Sequence, residues 1–378
     1  MTVASAPLQQ WLAEPPPAEV ADALERLRRG PDVARVAVMP DVHLSAEVCV
    51  GVALATRSTL VPAAVGGDIG CGMAALAFDA QASALDSASA AARVLEGLYR
   101  AIPVMRHKRS TGPRLPEALA ERPLSQPGLE AIKTREAALQ FGTLGRGNHF
   151  LELQADEDDR LWLMVHSGSR GMGQAIREAH EQQGTRDRAG LCGIPADSPP
   201  GCAYLHDLQW ALEYAARSRA RMVEVARMVI HDALGVEADE RSFIECHHNF
   251  VRQETYEGEP LWVHRKGAIS AREGELGIIP GSMGAASFHV RGRGCAAALC
   301  SSSHGAGRAM ARSEARKRIT TMRLHEQMQG VWFDHRMAER LREEAPGAYK
   351  DIGAVMRAQR ALTRVVRRLR PRLAFKGG

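Results

Sequence analysis

The chain has 378 residues, of which 45% are hydrophobic and 25% are charged, a balance typical of a folded protein and not of a disordered chain. Lysine and arginine exceed aspartate and glutamate by 49 − 44 = 5, which permits an anionic partner without requiring one. The longest apolar stretches are far shorter than the roughly 20 residues of a membrane span, and the N-terminus lacks the pattern of a secretory signal, so we expect a cytoplasmic protein.

Short strands and helices alternate along the sequence. In chain order the pattern predicts a helix within residues 1–30, strands from 33 to about 78, a helix at 82–101, a proline-punctuated basic loop at 106–127, strands at 149–154 and 161–166, a helical excursion from about 174 to 234, strands and glycine turns at 243–294, and helices from 304 to 369. Leu205, Leu208, Leu212 and Ala215 recur at helical spacing, which predicts a face packed on the same chain, with a partner-binding helix as the alternative. Because no repeat or linker divides the sequence, we expect one domain over residues 1–378.

Several histidines lie in short polar or glycine-bearing motifs. The motifs are PDVH at 40–43, DIGCG at 68–72, GRGNH at 145–149, VHSGSR at 165–170, HHN at 247–249 and SSSHGAGR at 301–308. Histidines clustered in such turns predict a shared metal or catalytic site, whereas a lone histidine is more often structural. Asp68 and Cys71 lie three residues apart, so their side chains can enter one cavity. Zinc, cobalt and manganese suit such donors, and a buried structural thiol at Cys71 is the alternative. The other cysteines lack a CxxC pair and are expected to be free thiols.

Glycines crowd the same motifs and recur in PGSMG at 280–284. Glycine lets successive backbone N–H groups converge on a phosphate, although ordinary tight turns are the alternative. The sequence has no GxxxxGK[ST] loop, and HEQQG at 180–184 lacks the second histidine of a zinc-protease helix. Seven arginines in 356–372, together with Arg106, Lys108, Arg109 and Arg114, could neutralise nucleic-acid phosphates or simply cover a solvated helix face.

Taken together, these strings resemble the RtcB family of RNA ligases. The matching segments are MPDVH, PAAVGGDIGCGM, GTLGRGNHFLEL, VHSGSRGMG, HHN, VHRKGAISA, IIPGSMGAASF, SSSHGAGR, AYKDI and LAFKGG, which follow the family's order over nearly the whole chain. The resemblance implies an α/β (α+β) fold, with one catalytic domain that has a β-sheet core, peripheral helices and a central metal-lined cleft. The chain is somewhat shorter than typical members, so we interpret it as a divergent bacterial paralogue.

The resemblance also implies the metal ligands and the nucleophile. Two divalent ions, usually Mn²⁺, would be held by residues matching Asp68, Cys71, His149, His166 and His248. The thiolate of Cys71 would bridge the two ions. His304 matches the nucleophile that attacks the α-phosphate of GTP and forms a covalent histidine–GMP. Asp41 would orient its imidazole.

The residues that match the family's nucleotide contacts lie in several motifs. They are Asn148, Glu152, Asn249, Pro280, Gly281, Ser282, Met283, Gly305, Ala306, Gly307, Arg308, Tyr349 and Lys376. Glu152, Tyr349 and Lys376 match positions that contact guanine. A carboxylate that accepts the N–H groups of guanine would discriminate GTP from ATP.

The resemblance therefore predicts a GTP- and Mn²⁺-dependent ligase that joins RNA 3′-phosphate or 2′,3′-cyclic phosphate ends to 5′-hydroxyl ends. The alternatives are a guanylyltransferase that caps 3′-phosphate ends of RNA or DNA, a metal-binding RNA-repair accessory protein without turnover, and a metallophosphoesterase. We expect a monomer with RNA and GTP as partners and no membrane contact. The sequence leaves open whether an activating protein partner is needed.

Overall fold

The computed structural model describes residues 5–110, 112–187 and 190–377. Within them the strands are β1 (Leu8–Gln10), β2 (Val33–His43), β3 (Val50–Thr56), β4 (Thr59–Leu60), β5 (Gly72–Gln81), β6 (Phe150–Ala155), β7 (Arg160–Ser167), β8 (Thr185–Arg186), β9 (Cys192–Pro195), β10 (Ala238–His247), β11 (Asn249–Tyr256), β12 (Glu259–Lys266), β13 (Ala268–Ser270), β14 (Leu276–Ile279), β15 (Ser287–Gly292), β16 (Ser301–Ser303), β17 (Trp332–Phe333) and β18 (Thr363–Phe375). The α-helices are α1 (Ala18–Leu27), α2 (Ala88–Ala101), α3 (Glu117–Ala120), α4 (Pro127–Ile132), α5 (Ala138–Gln140), α6 (Gly171–Glu181), α7 (Pro199–Leu234), α8 (Arg312–Arg318), α9 (Thr321–Gln327), α10 (Ala338–Leu341) and α11 (Ile352–Ala358).

Two mixed sheets form the core. The larger has the order β10-β5-β7-β6-β18-β15-β14, with β17 beside β18, and the smaller has the order β1-β2-β3-β12-β11. Alternate residues of β5 enter two apolar clusters: Ala74, Leu76 and Phe78 pack with helices α2 and α7, whereas Met73 and Ala75 pack on the opposite face. A strand buried on both faces is a continuous apolar run in sequence, as β5 is. These sheets and their surrounding helices confirm the expected α/β (α+β) class.

One end of the larger sheet gathers three of the histidine and cysteine motifs. Gly72, at the start of β5, pairs with Ser167 at the end of β7 and with His247 at the end of β10. The residues next to these three positions are Cys71, His166 and His248. The register of the sheet therefore brings them to one edge although they are far apart in sequence.

The predicted helical excursion is helical at both ends but is interrupted in between. Helix α6 ends at Glu181, the short strands β8 and β9 follow, and α7 begins only at Pro199. Ser198 caps α7 by accepting a hydrogen bond from the Gly201 N–H, and the left-handed Gly235 ends it. Leu208, Ala211 and Met222 are buried among the core clusters, so the helix packs on its own chain as predicted.

The prediction that helices continue to residue 369 is wrong. Residues 363–375 form β18, a long strand between β6 and β15. The β-branched pair at Val365 and Val366 favours a strand, and Pro371 lies next to an irregularity in the β18–β6 register, where a proline is tolerated. The arginines of this segment therefore project from a strand: Arg367 stacks over Trp162 and approaches Asp156 at 3.3 Å.

Two expectations concern the chain as a whole. All seven cysteines are free of disulfide bonds, which agrees with the free-thiol prediction made for the six other than Cys71. Among the described residues, we find no helix with both the length and the apolar character needed to cross a bilayer.

Candidate metal and nucleotide site

A cavity of about 700 Å³ opens where the ends of the two sheets meet. Eighteen of the twenty residues predicted for the site line it: Asp68, Cys71, Asn148, Glu152, His166, His248, Asn249, Pro280, Gly281, Ser282, Met283, His304, Gly305, Ala306, Gly307, Arg308, Tyr349 and Lys376. The other two, Asp41 and His149, lie directly behind His304 and Asp68. The fold thus brings all twenty to one place.

Cys71 occupies the centre of the deeper end of this cavity. Its Sγ lies 3.4 Å from Nε2 of His149 and 3.3 Å from Nε2 of His166. Two groups of candidate metal ligands share it, one formed with Asp68 and His149 and the other with His166 and His248, and the ligand atoms in each group lie within 4.8 Å of one another. One thiolate is therefore placed to contact two cations.

The three imidazoles are oriented by the groups behind them. Nδ1 of His149 lies 3.1 Å from the carbonyl oxygen of Leu144, and Nδ1 of His166 lies 2.9 Å from that of Asn148. Because each Nδ1–H donates to a carbonyl, Nε2 keeps its lone pair and faces Cys71. The Nδ1 of His248 lies 3.2 Å from Oδ1 of Asn249. This arrangement is typical of metal-binding histidines.

Close packing leaves no room for side chains at two glycines of the site. A Cβ on Gly168 would lie 2.3 Å from Oδ1 of Asp68, and one on Gly72 would lie 2.2 Å from the carbonyl oxygen of Cys246. Both distances are far below van der Waals contact. Glycine at these positions therefore lets β5, β7 and β10 converge on the ligands.

The electrostatics of this end suit a cation. Burial and the neighbouring imidazoles hold the pKa values of His166 and His248 well below the usual range, so both rings are neutral and able to coordinate. Burial raises the pKa of Asp68, but the neighbouring His149, Cys71 and Arg170 side chains outweigh burial and bring the pKa to about 2. Burial raises the pKa of the Cys71 thiol, which a bound cation would reverse. Oδ1 of Asp68 is buried and has no hydrogen-bond partner among the described residues, which fits a carboxylate that binds a metal.

His304 lies beside the candidate ligands, with its ring centre 4.6 Å from that of His248. Its Nδ1 lies 2.7 Å from Oδ2 of the fully buried Asp41, which also accepts the His304 backbone N–H at 3.1 Å. Lys350 donates to the carbonyls of Pro40 and Val42 on either side of Asp41. The carboxylate is therefore fixed, and it directs the Nδ1 proton of His304 so that Nε2 is free.

The opposite end of the cavity is charged and is built around Glu344. This buried carboxylate accepts hydrogen bonds from Lys376 at 3.2 Å, from Arg308 and Arg312 at 3.1 Å each, and from the Tyr349 hydroxyl. Burial raises its pKa, but Lys376 and the other donors outweigh burial and lower the pKa to about 2. Glu344 therefore holds four side chains of the cavity wall in place.

Comparison with known proteins identifies the family of the chain. The family model described as tRNA-splicing ligase RtcB matches residues 24–133 and 121–377. The chain belongs to the RtcB family. It is 35% identical over 415 residues to the RNA-splicing ligase RtcB of Escherichia coli, an alignment that covers 100% of this chain and 99% of that protein. The RNA-splicing ligase RtcB of Mycobacterium tuberculosis is 32% identical over 66% of this chain and 69% of its own length. The tRNA-splicing ligase RtcB of Aeropyrum pernix is 32% identical over 64% of this chain and 60% of its own length.

Some residues of this RtcB-family site were not predicted from the sequence. Arg170, inside a quoted motif, approaches Nδ1 of His149 at 3.3 Å. Lys350 lies in AYKDI next to the predicted Tyr349. Glu344 had no such signal, because it lies in a charged helical segment outside every motif and gains its role only from the four side chains that the fold brings to it.

Proposed function

We propose that the protein is a GTP- and Mn²⁺-dependent RNA ligase that joins RNA 3′-phosphate or 2′,3′-cyclic phosphate ends to 5′-hydroxyl ends through a covalent guanylate on His304. The main support is the position of His304: its Nδ1 is engaged by Asp41, while its ring lies against the ligand groups centred on Cys71. An imidazole fixed in this way is a nucleophile beside a site for cations.

In this proposal the ligand residues divide into two sets. Asp68, Cys71 and His149 would hold one ion, and Cys71, His166 and His248 would hold the other. Bound Mn²⁺ would neutralise charge on the reacting phosphates. The mixture of carboxylate, thiolate and imidazole donors suits manganese as well as zinc.

His304 would act first on GTP. Its Nε2 attacks the α-phosphorus, the bond from that phosphorus to the bridging oxygen breaks, and pyrophosphate leaves with the electron pair. The Nδ1 proton stays with the imidazole, and Asp41 stabilises the positive charge that the ring acquires. Segments 280–283 and 305–307 line the cavity, and backbone N–H groups of these segments would bind the phosphates.

The guanylate would then pass to RNA. An oxygen of the 3′-phosphate attacks the phosphorus on His304, and the imidazole leaves. The RNA 5′-hydroxyl next attacks the activated 3′-phosphate and loses its proton, GMP leaves, and a phosphodiester bond forms. A 2′,3′-cyclic end must first take up water to give the 3′-phosphate. Glu152, Tyr349 and Lys376 would contact guanine at the charged end of the cavity.

The decisive experiment is mass spectrometry of the protein after incubation with GTP and Mn²⁺. We expect a guanylate linked to His304 and no adduct in His304→Ala, which should still bind Mn²⁺. A labelled 3′-phosphate RNA, with and without a 5′-hydroxyl partner, then tests joining. An adduct on another residue would identify that residue as the nucleophile instead of His304. Capped RNA without joined product would favour the end-capping alternative.

A further inference from the structure

The side chain of Arg219 connects helix α7 to the candidate metal ligands. It is fully buried, and its hydrogen bonds account for all five guanidinium N–H groups. Nε and Nη2 donate to Oε1 of Glu245 at 3.1 and 2.8 Å, and Nη1 donates to the carbonyls of Gly70 and Ser167 at 2.8 Å each. Nη2 also donates to Nδ1 of His247 at 3.0 Å.

The acceptors of these bonds adjoin three ligands on three neighbouring strands. Gly70 precedes Cys71, Ser167 follows His166, and His247 precedes His248. The corresponding strands β5, β7 and β10 are adjacent in the larger sheet. A planar guanidinium offers donors in fixed directions, so it can hold several backbone segments at set separations, unlike the point charge of lysine.

We propose that Arg219 is a positioning residue that sets the separation of Cys71, His166 and His248, and hence the affinity of the cation group that these three residues form. The proposal rests on the metal-binding role proposed above. It also gives α7 a function that its sequence pattern did not indicate: the helix places the guanidinium group of Arg219 at the ends of three strands.

Arg265 provides a matched control. It is also fully buried, and it donates to Glu254, to Oγ of Ser301 at 2.9 Å and to the carbonyl of Leu299 at 2.8 Å. Arg219→Lys and Arg265→Lys therefore each replace a buried guanidinium group by an ammonium group. The first change lies beside the candidate ligands, and the second lies elsewhere. Both variants keep the charge, so both are expected to fold with a lowered melting temperature.

The test measures metal binding directly. Calorimetric titration with Mn²⁺ should show a 10- to 100-fold lower affinity in Arg219→Lys only, which is about the effect of losing an outer-shell contact. The thiolate-to-metal absorption spectrum of the Co²⁺-loaded protein should likewise be altered in Arg219→Lys only. Wild-type affinity and spectrum in Arg219→Lys, or equal losses in both variants, would overturn the positioning role. GTP labelling of the wild type is scored separately, so failure of the ligase proposal is distinguishable from failure of this one.

A second inference concerns a basic cavity outside the candidate site. A cavity of about 600 Å³ is lined by the basic residues Arg100, Arg106, Lys108 and Arg221 together with His107, and no acidic side chain is among its lining residues in the described part of the chain. By contrast, another cavity, of about 520 Å³, is lined by four arginines and three glutamates. Of the basic residues named, Arg106 also reaches Glu136 at 3.1 Å.

This basic cavity adjoins the candidate active site. The Leu144 N–H donates to the Pro103 carbonyl at 3.0 Å and the Gly145 N–H donates to the Val104 carbonyl at 2.8 Å. The loop that carries Arg106 and Lys108 therefore lies against the segment leading to Asn148 and His149. We infer that it binds backbone phosphates of the RNA strand whose end enters the site, an inference that rests on the proposed ligase function.

The test removes three charges and compares salt dependence. In the variant with Arg100→Gln, Lys108→Gln and Arg221→Gln, the slope of log affinity for single-stranded RNA against log salt should fall by about 2, at roughly 0.7 per lost phosphate contact. A control with Arg29→Gln, Arg57→Gln and Arg357→Gln, which loses the same charge at exposed positions, should keep its slope. Guanylate labelling without RNA should be unchanged in both. Equal slopes in the two variants would overturn the inference, whereas absent labelling in the wild type would overturn the ligase instead.

Discussion

The two ends of the cavity are held by different kinds of contact. At the end around Cys71, the cysteine end, backbone carbonyls set the orientation of His149 and His166, and the candidate ligands lie at the ends of adjacent strands. At the charged end, side chains hold one another, with Lys376, Arg308 and Tyr349 converging on Glu344. Geometry fixed by the main chain tolerates the loss of one side chain better than geometry fixed by mutual ion pairs. A substitution at Glu344 should therefore disturb the side chains paired with it, while the main-chain contacts that orient His149 and His166 stay in place.

The largest expected effect concerns Asp41→Asn, at the boundary between the two ends. An amide that presents N–H to Nδ1 of His304 favours the tautomer with the proton on Nε2, which blocks the nucleophile. We expect the rate of guanylate labelling to fall by about 1,000-fold or more, with Mn²⁺ affinity unchanged. Single-turnover labelling and calorimetry check the two halves of this prediction. A rate within tenfold of wild type would show that Asp41 does not set the tautomer.

Cys71→Ser tests whether one thiolate serves both cations. A hydroxyl is a poor bridging ligand at neutral pH, so we expect the affinity for both ions to fall by at least about 100-fold, more than the loss of an outer-shell contact costs. His248→Asn, which removes a ligand from one group only, should lower the stoichiometry by one ion. Metal content after dialysis and calorimetric stoichiometry distinguish these results, and equal behaviour of the two variants would contradict the shared position of Cys71.

Glu344→Gln tests the charged end. Glutamine keeps the shape of the Glu344 side chain but removes its negative charge. In the wild type this buried charge pairs with three cationic side chains. We expect the free energy of unfolding to fall by about 2 kcal/mol and GTP binding to weaken, while Mn²⁺ affinity stays within a factor of about two. Chemical denaturation and calorimetry measure these quantities. A loss of Mn²⁺ affinity as large as that of GTP affinity would remove the distinction between the two ends.

The same distinction explains what could be predicted from the sequence. The glycine-bearing turns at the cysteine end predicted a shared site, and the structure brings these turns together; the assignment of single residues as metal ligands came from the family resemblance and stays a prediction. Glu344 was missed because four contacts from distant segments define it. Residues 363–369 were predicted as helix although Val365 and Val366 favour a strand, because only the pairing with β6 and β15 identifies this segment as part of the sheet. Arg219 carries no sequence signal, since a buried arginine in a helix is identified only by what it contacts.

Glu152 is the side chain at the charged end whose ionisation should couple to nucleotide binding. It is buried, and burial raises its pKa to about 8, although Lys376 offsets part of the effect. The free protein therefore holds a proton on Glu152 at neutral pH. Guanine presents N–H donors, which favour the ionised carboxylate, so binding in the proposed orientation releases this proton.

The sign of the pH dependence follows from that release. The carboxyl is protonated in the free state below about pH 8 and ionised in the complex, so GTP affinity should rise by about tenfold per pH unit as pH approaches 8 and then level off. Titrations in buffers of different ionisation enthalpy measure the proton. Glu152→Gln should remove this part of the pH dependence. Subtracting the profile of that variant also removes the contribution from the ionisation of GTP itself. Glu157→Gln, at an exposed carboxylate, should retain the pH dependence of the wild type. An affinity that is flat over this range in the wild type, or proton uptake on binding, would mean that Glu152 does not face the guanine, and the predicted discrimination of GTP from ATP would lose its basis.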